Sequence, residues 1–247
     1  MQVALNMKYV LVALCSLTLA GSALFYSFNQ EACCEYIGLM APEGVSEVPG
    51  VKHAEIEPPR KDGTIPDKVR GLKLHQPAGE VKLPDLHGKV HEVDFTSHKF
   101  TVFVWVSSVC PTSQAYKLRL NELQTELGKE VAFWAVNSSA MESVGEIAES
   151  YEHGQWPLNF TVLKDDNNVL ADRFGAKVCP DVFVFNKEGK LEYRGGVDDS
   201  RDPEKVSMRY LYVVLKALLA DKMPPWRYQP PNGCCPIDRV ETEEPKH

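Results

Sequence analysis

Residues 100–120, FTVFVWVSSVCPTSQAYKLRL, pass from a strand pattern to a helix pattern at a single cysteine. Phe100 to Val106 is an unbroken β-branched and aromatic run, the composition of a strand buried on both faces. At Cys110-Pro111 the pattern changes: Tyr116, Leu120, Leu123 and Leu127 recur at helical spacing, and Gly128 supplies a stop. Cys110 therefore stands where a central strand opens into a helix. Unpaired N–H groups and the positive end of the helix dipole favour a thiolate there. Open α/β sheets also place ligands and catalytic groups at such strand ends. A buried structural thiol is the plainer reading, since unbonded Cys is among the most buried residue types; position is what shifts the weight towards a nucleophile.

Working outward, VKLPDLHGKVHEVDF from Val81 reads as two short strands joined by a Gly turn. Downstream, Val131 to Val136 is a second buried strand. Ser139 and Glu142 form a capping box for a helix whose face carries Met141, Val144, Ala148 and Tyr151. A polar loop through His153 and Trp156 leads to a strand from Phe160 to Leu163, then a brief helix from Val169 to Phe174 ended by Gly175. Val182 to Phe185 and Leu191 to Tyr193 flank Asn186-Lys187-Glu188-Gly189 as an antiparallel hairpin. Asp202 and Pro203 open a last helix with Val206, Tyr210, Val214 and Leu218 on one face. Strands interleaved with helices and closed by a hairpin predict an α/β fold, a mixed central sheet with helices on both faces. Trp105 and Trp134 fall in strand patterns as core residues, and Trp156 and Trp226 in loops.

Composition sets the outer bounds. The chain has 247 residues, 44% hydrophobic and 25% charged, which excludes wholesale disorder and a multi-span membrane protein. A net charge of −7 with no basic stripe argues against nucleic acid as a partner. Tyr9 to Phe28 carries no charge and is long enough to span a bilayer. It reads equally as a membrane anchor or as a secretory signal with a small-residue cleavage site at Gly21-Ser22-Ala23. Cys15 is an apolar residue of that segment. Either reading puts the body of the protein outside the cytoplasm, in the periplasm if the source is bacterial, where disulfides are permitted. The expected organisation is residues 1–28 as signal or anchor, 29–79 as a Pro- and Gly-rich tether, 80–222 as the domain, and 223–247 as a tail with adjacent cysteines.

The cysteines are unevenly placed: Cys15, Cys33-Cys34, Cys110, Cys179 and Cys234-Cys235, seven in all. Adjacent cysteines bond each other only through a strained ring, so the two pairs are donors to distant partners. A disulfide pinning tail to N-terminal segment and a catalytic role both remain open for them. Cys179 precedes Pro180 at a strand start, which by itself reads as an ordinary trans boundary.

The segments FVWVSSVCPTSQAYKLRL, FTVLKDDNNVLADRFGAKVCPDVFVFNKEGKLEYRGGVDD and GCCPI resemble the thioredoxin-like redoxin family, the group of alkyl hydroperoxide reductase and thiol-specific antioxidant proteins. The resemblance runs from about Val81 to Ile237. It implies a thioredoxin-like fold in which Cys110 is the nucleophilic thiol, Pro180 is a cis-proline packed against it, and Cys179 faces Cys110 across the site. Members usually carry Thr or another non-thiol residue at the position of Cys179. Ser113 takes the second position of a thioredoxin CxxC pair. In a peroxiredoxin PxxxTxxC pattern Ser107 replaces Thr as a hydroxyl donor, and Phe103 stands where Pro would shield the site. No arginine falls beside Cys179-Pro180-Asp181; Arg173 and Arg194 are possible stand-ins, with solvated surface the preferred reading for both. These departures weaken the peroxidase reading and leave the thiol chemistry.

Three routes to a disulfide are open: Cys179 resolves the intermediate on Cys110, a tail thiol such as Cys234 swings in, or an external thiol reduces Cys110 directly. The expected activity is that of a thiol–disulfide oxidoreductase or peroxiredoxin-like antioxidant. Its partners are a thiol reductant, a disulfide-bearing protein or a peroxide, with membrane association through residues 9–28 if that segment is retained. No cofactor is expected. The alternative is a non-catalytic redoxin module that binds copper or a partner protein through its thiols, although no CxxC or HxxxH spacing supports a metal. Asn137-Ser138-Ser139 and Asn159-Phe160-Thr161 are glycosylation sequons, relevant only to a eukaryotic secretory route.

Overall fold

The structure is a computed structural model that describes residues 64–233 and 235–239. The uncharged run 9–28, Cys15, Cys33-Cys34 and Cys234 lie outside the described residues. In chain order the elements are β1 (Lys82–Pro84), β2 (Val90–Glu92), β3 (Phe100–Trp105), α1 (Pro111–Leu127), β4 (Val131–Asn137), α2 (Val144–Ala148), β5 (Val162–Lys164), α3 (Val169–Phe174), β6 (Val178–Cys179), β7 (Asp181–Asn186), β8 (Leu191–Gly195), α4 (Tyr210–Leu219), β9 (Tyr228–Gln229) and β10 (Cys235–Pro236). The main sheet runs β5-β4-β3-β7-β8-β9. β3 pairs parallel with β4 and antiparallel with β7, the mixed pattern expected from interleaved helices ending in a hairpin. This is the α/β thioredoxin-like architecture.

The period-two alternation of β3 divides the interior. Val102 and Val104 face a core with Leu120 and Leu123 of α1 and Val214 and Leu215 of α4. Phe103 and Trp105 face the other way, into a cluster with Phe174, Phe183 and Phe185. Phe174 is the hub of that cluster, 5.6 Å from the Phe103 ring at 88° and 5.0 Å from Phe185. Edge-to-face contacts of this kind add about 0.5–1.5 kcal/mol to the area term.

Several boundaries differ from the sequence reading. The tether does not extend to Gly79. Ile65, Val69, Leu72 and Ala78 are buried against the aromatic face, and the Leu72 N–H donates to the Phe174 carbonyl at 3.1 Å. Gly71 (φ +91°) and Gly175 (φ +79°) meet back to back at this contact, where a Cβ on Gly71 would overlap the Phe174 carbonyl. These apolar residues are too irregularly spaced to show a period. The second helix starts at Val144, with Ser143 and Glu146 as its capping box in place of Ser139 and Glu142; Met141 is exposed, and Ile147 is its buried residue. Asp202-Pro203 caps only a 3₁₀ turn over Pro203–Lys205, and α4 begins at Tyr210. Gly128 ends α1 in a right-handed conformation, so its role there is not the left-handed cap. The sheet continues past residue 222: β9 adds a sixth strand beside β8, and β10 pairs with β6. Trp105 is fully buried, Trp134 partly buried beside His91, Trp156 exposed, and Trp226 packs on Tyr210. No helix among the described residues is long and apolar enough to cross a membrane.

Candidate active site

β3 ends at Trp105, and the chain turns through Ser107 to Val109 with the Cys110 N–H donating to the Ser107 carbonyl at 3.3 Å. That turn is held from three sides. The Tyr151 hydroxyl donates to the Ser107 carbonyl at 2.8 Å, and Gln114 Nε2 donates to the Ser107 and Ser108 carbonyls at 3.3 and 3.0 Å. The Ser107 N–H donates to Ser113 Oγ at 3.3 Å. Cys110 is the N-cap of α1, extended at φ −83°, ψ 113°, and Pro111 follows in the first turn, where a missing N–H costs nothing. Its sulfur accepts from the Ser113 N–H at 3.5 Å, the position a capping oxygen would take. Ser113 thus serves the site through its backbone N–H and its hydroxyl, not as a redox partner.

The Cys179–Pro180 peptide is cis. Cys110 Sγ donates to the Cys179 carbonyl at 3.4 Å, so the loop before β7 lies directly against the nucleophile position. Cys110, Cys179 and Cys235 are all present as thiols. The first two are 0% and 3% exposed, whereas Cys235 is partly exposed at the edge of the same apolar cluster. Cys110, Cys179, Pro180, Ser107 and Ser113 are therefore brought together, and Cys234 lies outside the described residues.

The surroundings are acidic. Burial, above all, pushes the Cys179 thiol well above its ordinary range, and charge on Cys110, Glu142, Asp181 and Asp238 pushes the same way. Glu142, read from sequence as a helix cap, is instead buried beneath the site. It accepts from the Ser108 N–H at 2.5 Å, from the Ser108 hydroxyl, and from Asn137 Nδ2 at 3.1 Å. Its Oε1 is buried with no hydrogen-bond partner among the described residues. Asp181, next to Pro180, is also buried, and desolvation raises it to about 6 against the opposing charge of Arg194. Arg194 is not solvated surface as the sequence reading preferred. It is 3% exposed, 3.6 Å from Asp181 Oδ2, and donates to the Arg70 carbonyl at 2.6 Å. Arg173 is exposed and donates to the Ala78 and Glu80 carbonyls. Arg194 pairs with the carboxylate beside the cis-proline, and Arg173 serves the docked 64–79 segment.

Asn137 of the first sequon is fully buried and donates to the Val106 carbonyl at 3.2 Å; Asn159 of the second is exposed and donates to Asn121 and Thr125. Among the described residues no group of three or more His, Cys, Asp or Glu side chains is disposed to hold a metal ion. Sequence reasoning missed Glu142, Asp181 and the place of Cys235. For Cys235 the signal was the Cys-Cys-Pro segment; for the two carboxylates there was none, because their roles arise from burial.

Residues 74–194 match the model of the AhpC/TSA family. No curated protein matches the chain. Among solved structures, a hypothetical protein of Sinorhizobium meliloti 1021 is similar with a TM-score of 0.63 at 24% identity, over 70% of this chain and 98% of that one. An uncharacterized conserved protein of Geobacillus kaustophilus is similar with a TM-score of 0.61 at 26% identity, over 69% of this chain and 94% of that one. Peroxidoxin BcpB of Mycobacterium tuberculosis gives 0.45 at 17% identity, over 53% of this chain and 90% of that one. The first two cover almost their whole length and carry the fold.

Proposed function

We propose that this chain, a thioredoxin-like redoxin whose residues 74–194 form an AhpC/TSA family domain, is a thiol-dependent oxidoreductase in which Cys110 attacks and Cys179 resolves. The observation that carries the reading is the contact of Cys110 Sγ with the Cys179 carbonyl at 3.4 Å beside a cis-proline. Cys110 has the Ser113 N–H and the N-terminus of a 17-residue helix directed at its sulfur, both of which favour negative charge. Cys179 is held protonated by burial and by acidic neighbours. One thiol is thereby prepared to attack and the other to wait.

With a disulfide substrate, the Cys110 thiolate attacks one sulfur, forms a mixed disulfide and releases the first thiol. Cys179 then attacks the Cys110 sulfur and releases the second, leaving the substrate reduced by two electrons and a 110–179 disulfide. With a peroxide, Cys110 takes one oxygen to become a sulfenic acid, the alcohol or water leaves, and Cys179 condenses with the sulfenic acid to release water. Glu142 and Asp181 are the buried carboxylates near enough to influence Cys179; one of them takes its proton as it attacks and returns it to the departing thiolate, or to the hydroxide that leaves as water. Because Cys110 is wholly covered, a substrate that reaches it is small or displaces the chain packed over the thiol. The uncharged run from Tyr9 to Phe28 supports a location beyond the cytoplasm, where such chemistry acts on secreted proteins.

The test is oxidation of the reduced full-length chain with one equivalent of an aromatic disulfide or hydrogen peroxide, quenched early with acid, alkylated and mapped without reduction. A link between the peptides carrying Cys110 and Cys179 is expected first, and Cys110→Ser abolishes it. No such link at any time, with oxidation undiminished in Cys110→Ser, sinks the assignment. A peroxide rate no faster than that of free cysteine, beside rapid reaction with the disulfide, selects disulfide exchange.

A further inference from the structure

Cys235 stands directly opposite Cys179 in the antiparallel pairing of β10 with β6, with Pro236 opposite Val178. The Ile237 N–H donates to the Lys177 carbonyl at 2.9 Å, which makes 237/177, and hence 235/179, hydrogen-bonded pairs and leaves Pro236 in the register position that needs no N–H. Directly opposed residues point to the same face, and their Cα atoms are about 5.5 Å apart in such a pair, inside the span of about 4.4–6.8 Å that a disulfide bridges.

The segment is fastened beyond this point. Ile237 is buried, Asn168 Nδ2 donates to the Asp238 carbonyl at 2.9 Å, Ser139 Oγ donates to Asp238 Oδ2 at 3.2 Å, and Arg239 Nε lies 2.8 Å from Asp172 Oδ1. Upstream, a Cβ on Gly233 would come within 2.8 Å of the Cys179 carbonyl, so the chain passes closely over the site on both sides of Cys235. A strand held at so many points is not a tail waiting to swing in.

Resting on the assignment of Cys110 and Cys179 above, we propose that Cys235 is the outlet of a three-thiol relay. The 110–179 disulfide is shut away from a macromolecular reductant, because both its sulfurs belong to buried residues and exchange requires access to the sulfur attacked. Cys235 is partly exposed and adjoins one of them. Its thiolate attacks the Cys179 sulfur, forms the 179–235 disulfide and expels Cys110 as thiolate, which is ready for another substrate. An external dithiol protein then attacks at Cys235, and its second thiol completes the reduction, returning Cys179 and Cys235 to thiols while the reductant becomes a disulfide. Two electrons thus pass from the reductant at the surface to the covered Cys110 without unfolding the site.

The relay is tested on the full-length chain by non-reducing peptide mapping over time after one equivalent of an aromatic disulfide, and by re-reduction with a thioredoxin and its reductase as the dithiol probe. The 110–179 link is expected to give way to a 179–235 link in the wild type. In Cys235→Ser oxidation halts at 110–179, and re-reduction by the protein dithiol slows by at least about tenfold, whereas a small dithiol such as dithiothreitol discriminates less between the two proteins. Wild-type maps that never show 179–235, equal re-reduction of Cys235→Ser and wild type, or a slowing in Cys234→Ser but not in Cys235→Ser would each overturn the relay while leaving the 110–179 centre in place. Absence of any 110–179 link in Cys235→Ser overturns both.

Discussion

Glu142 accepts both the backbone N–H and the hydroxyl of Ser108 across 34 positions of chain, tying the turn before Cys110 to the loop after β4. Through this contact the carboxylate is built into the floor of the thiol site, and its remaining oxygen is buried without a hydrogen-bond partner among the described residues. An unpartnered buried carboxylate oxygen is costly in free energy, which is tolerable where the group serves a proton or a neighbouring charge.

Replacing Glu142 by Gln keeps an acceptor for Ser108 and deletes the charge. Because that charge raises the Cys179 thiol, the pH profile of Cys179 alkylation should move to lower pH in Glu142→Gln, read by mass spectrometry of the Cys179 peptide. A profile unmoved from wild type would show that Glu142 does not bear on the resolving thiol.

Cys110 caps α1 as well as carrying the chemistry, and the two roles separate by substitution. Cys110→Ser retains a side-chain acceptor for the Ser113 N–H; Cys110→Ala does not. Both should lose turnover, but denaturant unfolding should find the Ala variant less stable than the Ser variant by about 0.5–2 kcal/mol. Equal stabilities would mean that the cap contributes nothing measurable.

Asp181 binds its proton more tightly folded than unfolded, since burial lifts it from 3.8 to about 6. The favourable contribution is therefore complete below pH 3.8 and is lost as pH rises through 6. Asp181→Asn carries no such titration, so whatever constant cost it incurs by leaving Arg194 uncompensated, it should gain on wild type between pH 4 and 7 by on the order of 2–3 kcal/mol. Parallel curves of unfolding midpoint against pH for the two proteins would contradict this.

The Tyr116 hydroxyl donates to Asp198 Oδ1 at 2.6 Å, and Arg119 forms a buried ion pair with Oδ2 while donating to the Ser200 carbonyl at 2.8 Å. Asp198→Ala leaves the buried Arg119 guanidinium without its counter-charge and removes the acceptor of the Tyr116 hydroxyl, and thermal or denaturant unfolding should register a loss of about 3–5 kcal/mol. Asp198 bonds to Tyr116, Arg119 and Ser200 and to neither thiol, so the early disulfide map of the folded variant should match wild type.

A large part of this arrangement is legible in one dimension. The apolar run at Phe100–Val106, the helical spacing after Cys110 and the hairpin at Asn186–Gly189 are local patterns, and each became the expected element. Helix starts were less legible. Ser139 and Glu142 satisfy the spacing of a capping box as well as Ser143 and Glu146 do, and only the closing of the chain over Ser108 decides which pair caps and which is buried. Arg194 has the same difficulty: nothing around it in the sequence distinguishes a solvated charge from one whose stem lies on Phe183 and whose head meets Asp181.

The alternation of strands and helices, the burial of β3 on both faces and the position of a cysteine at a strand-to-helix junction follow from local periodicity and from the chemistry of a helix N-terminus, and are readable in one dimension. Which thiols meet depends on the folded chain. Cys110 and Cys179 are 69 positions apart, and Cys235 reaches Cys179 through a two-residue strand pairing whose register is set by Ile237, Asp238 and Arg239 finding their anchors on Lys177, Asn168 and Asp172. A shift of one residue in that pairing would place Cys234 or Pro236 opposite Cys179. Register between distant segments depends on contacts that no sequence period encodes, and for this protein the register selects the thiol at the surface.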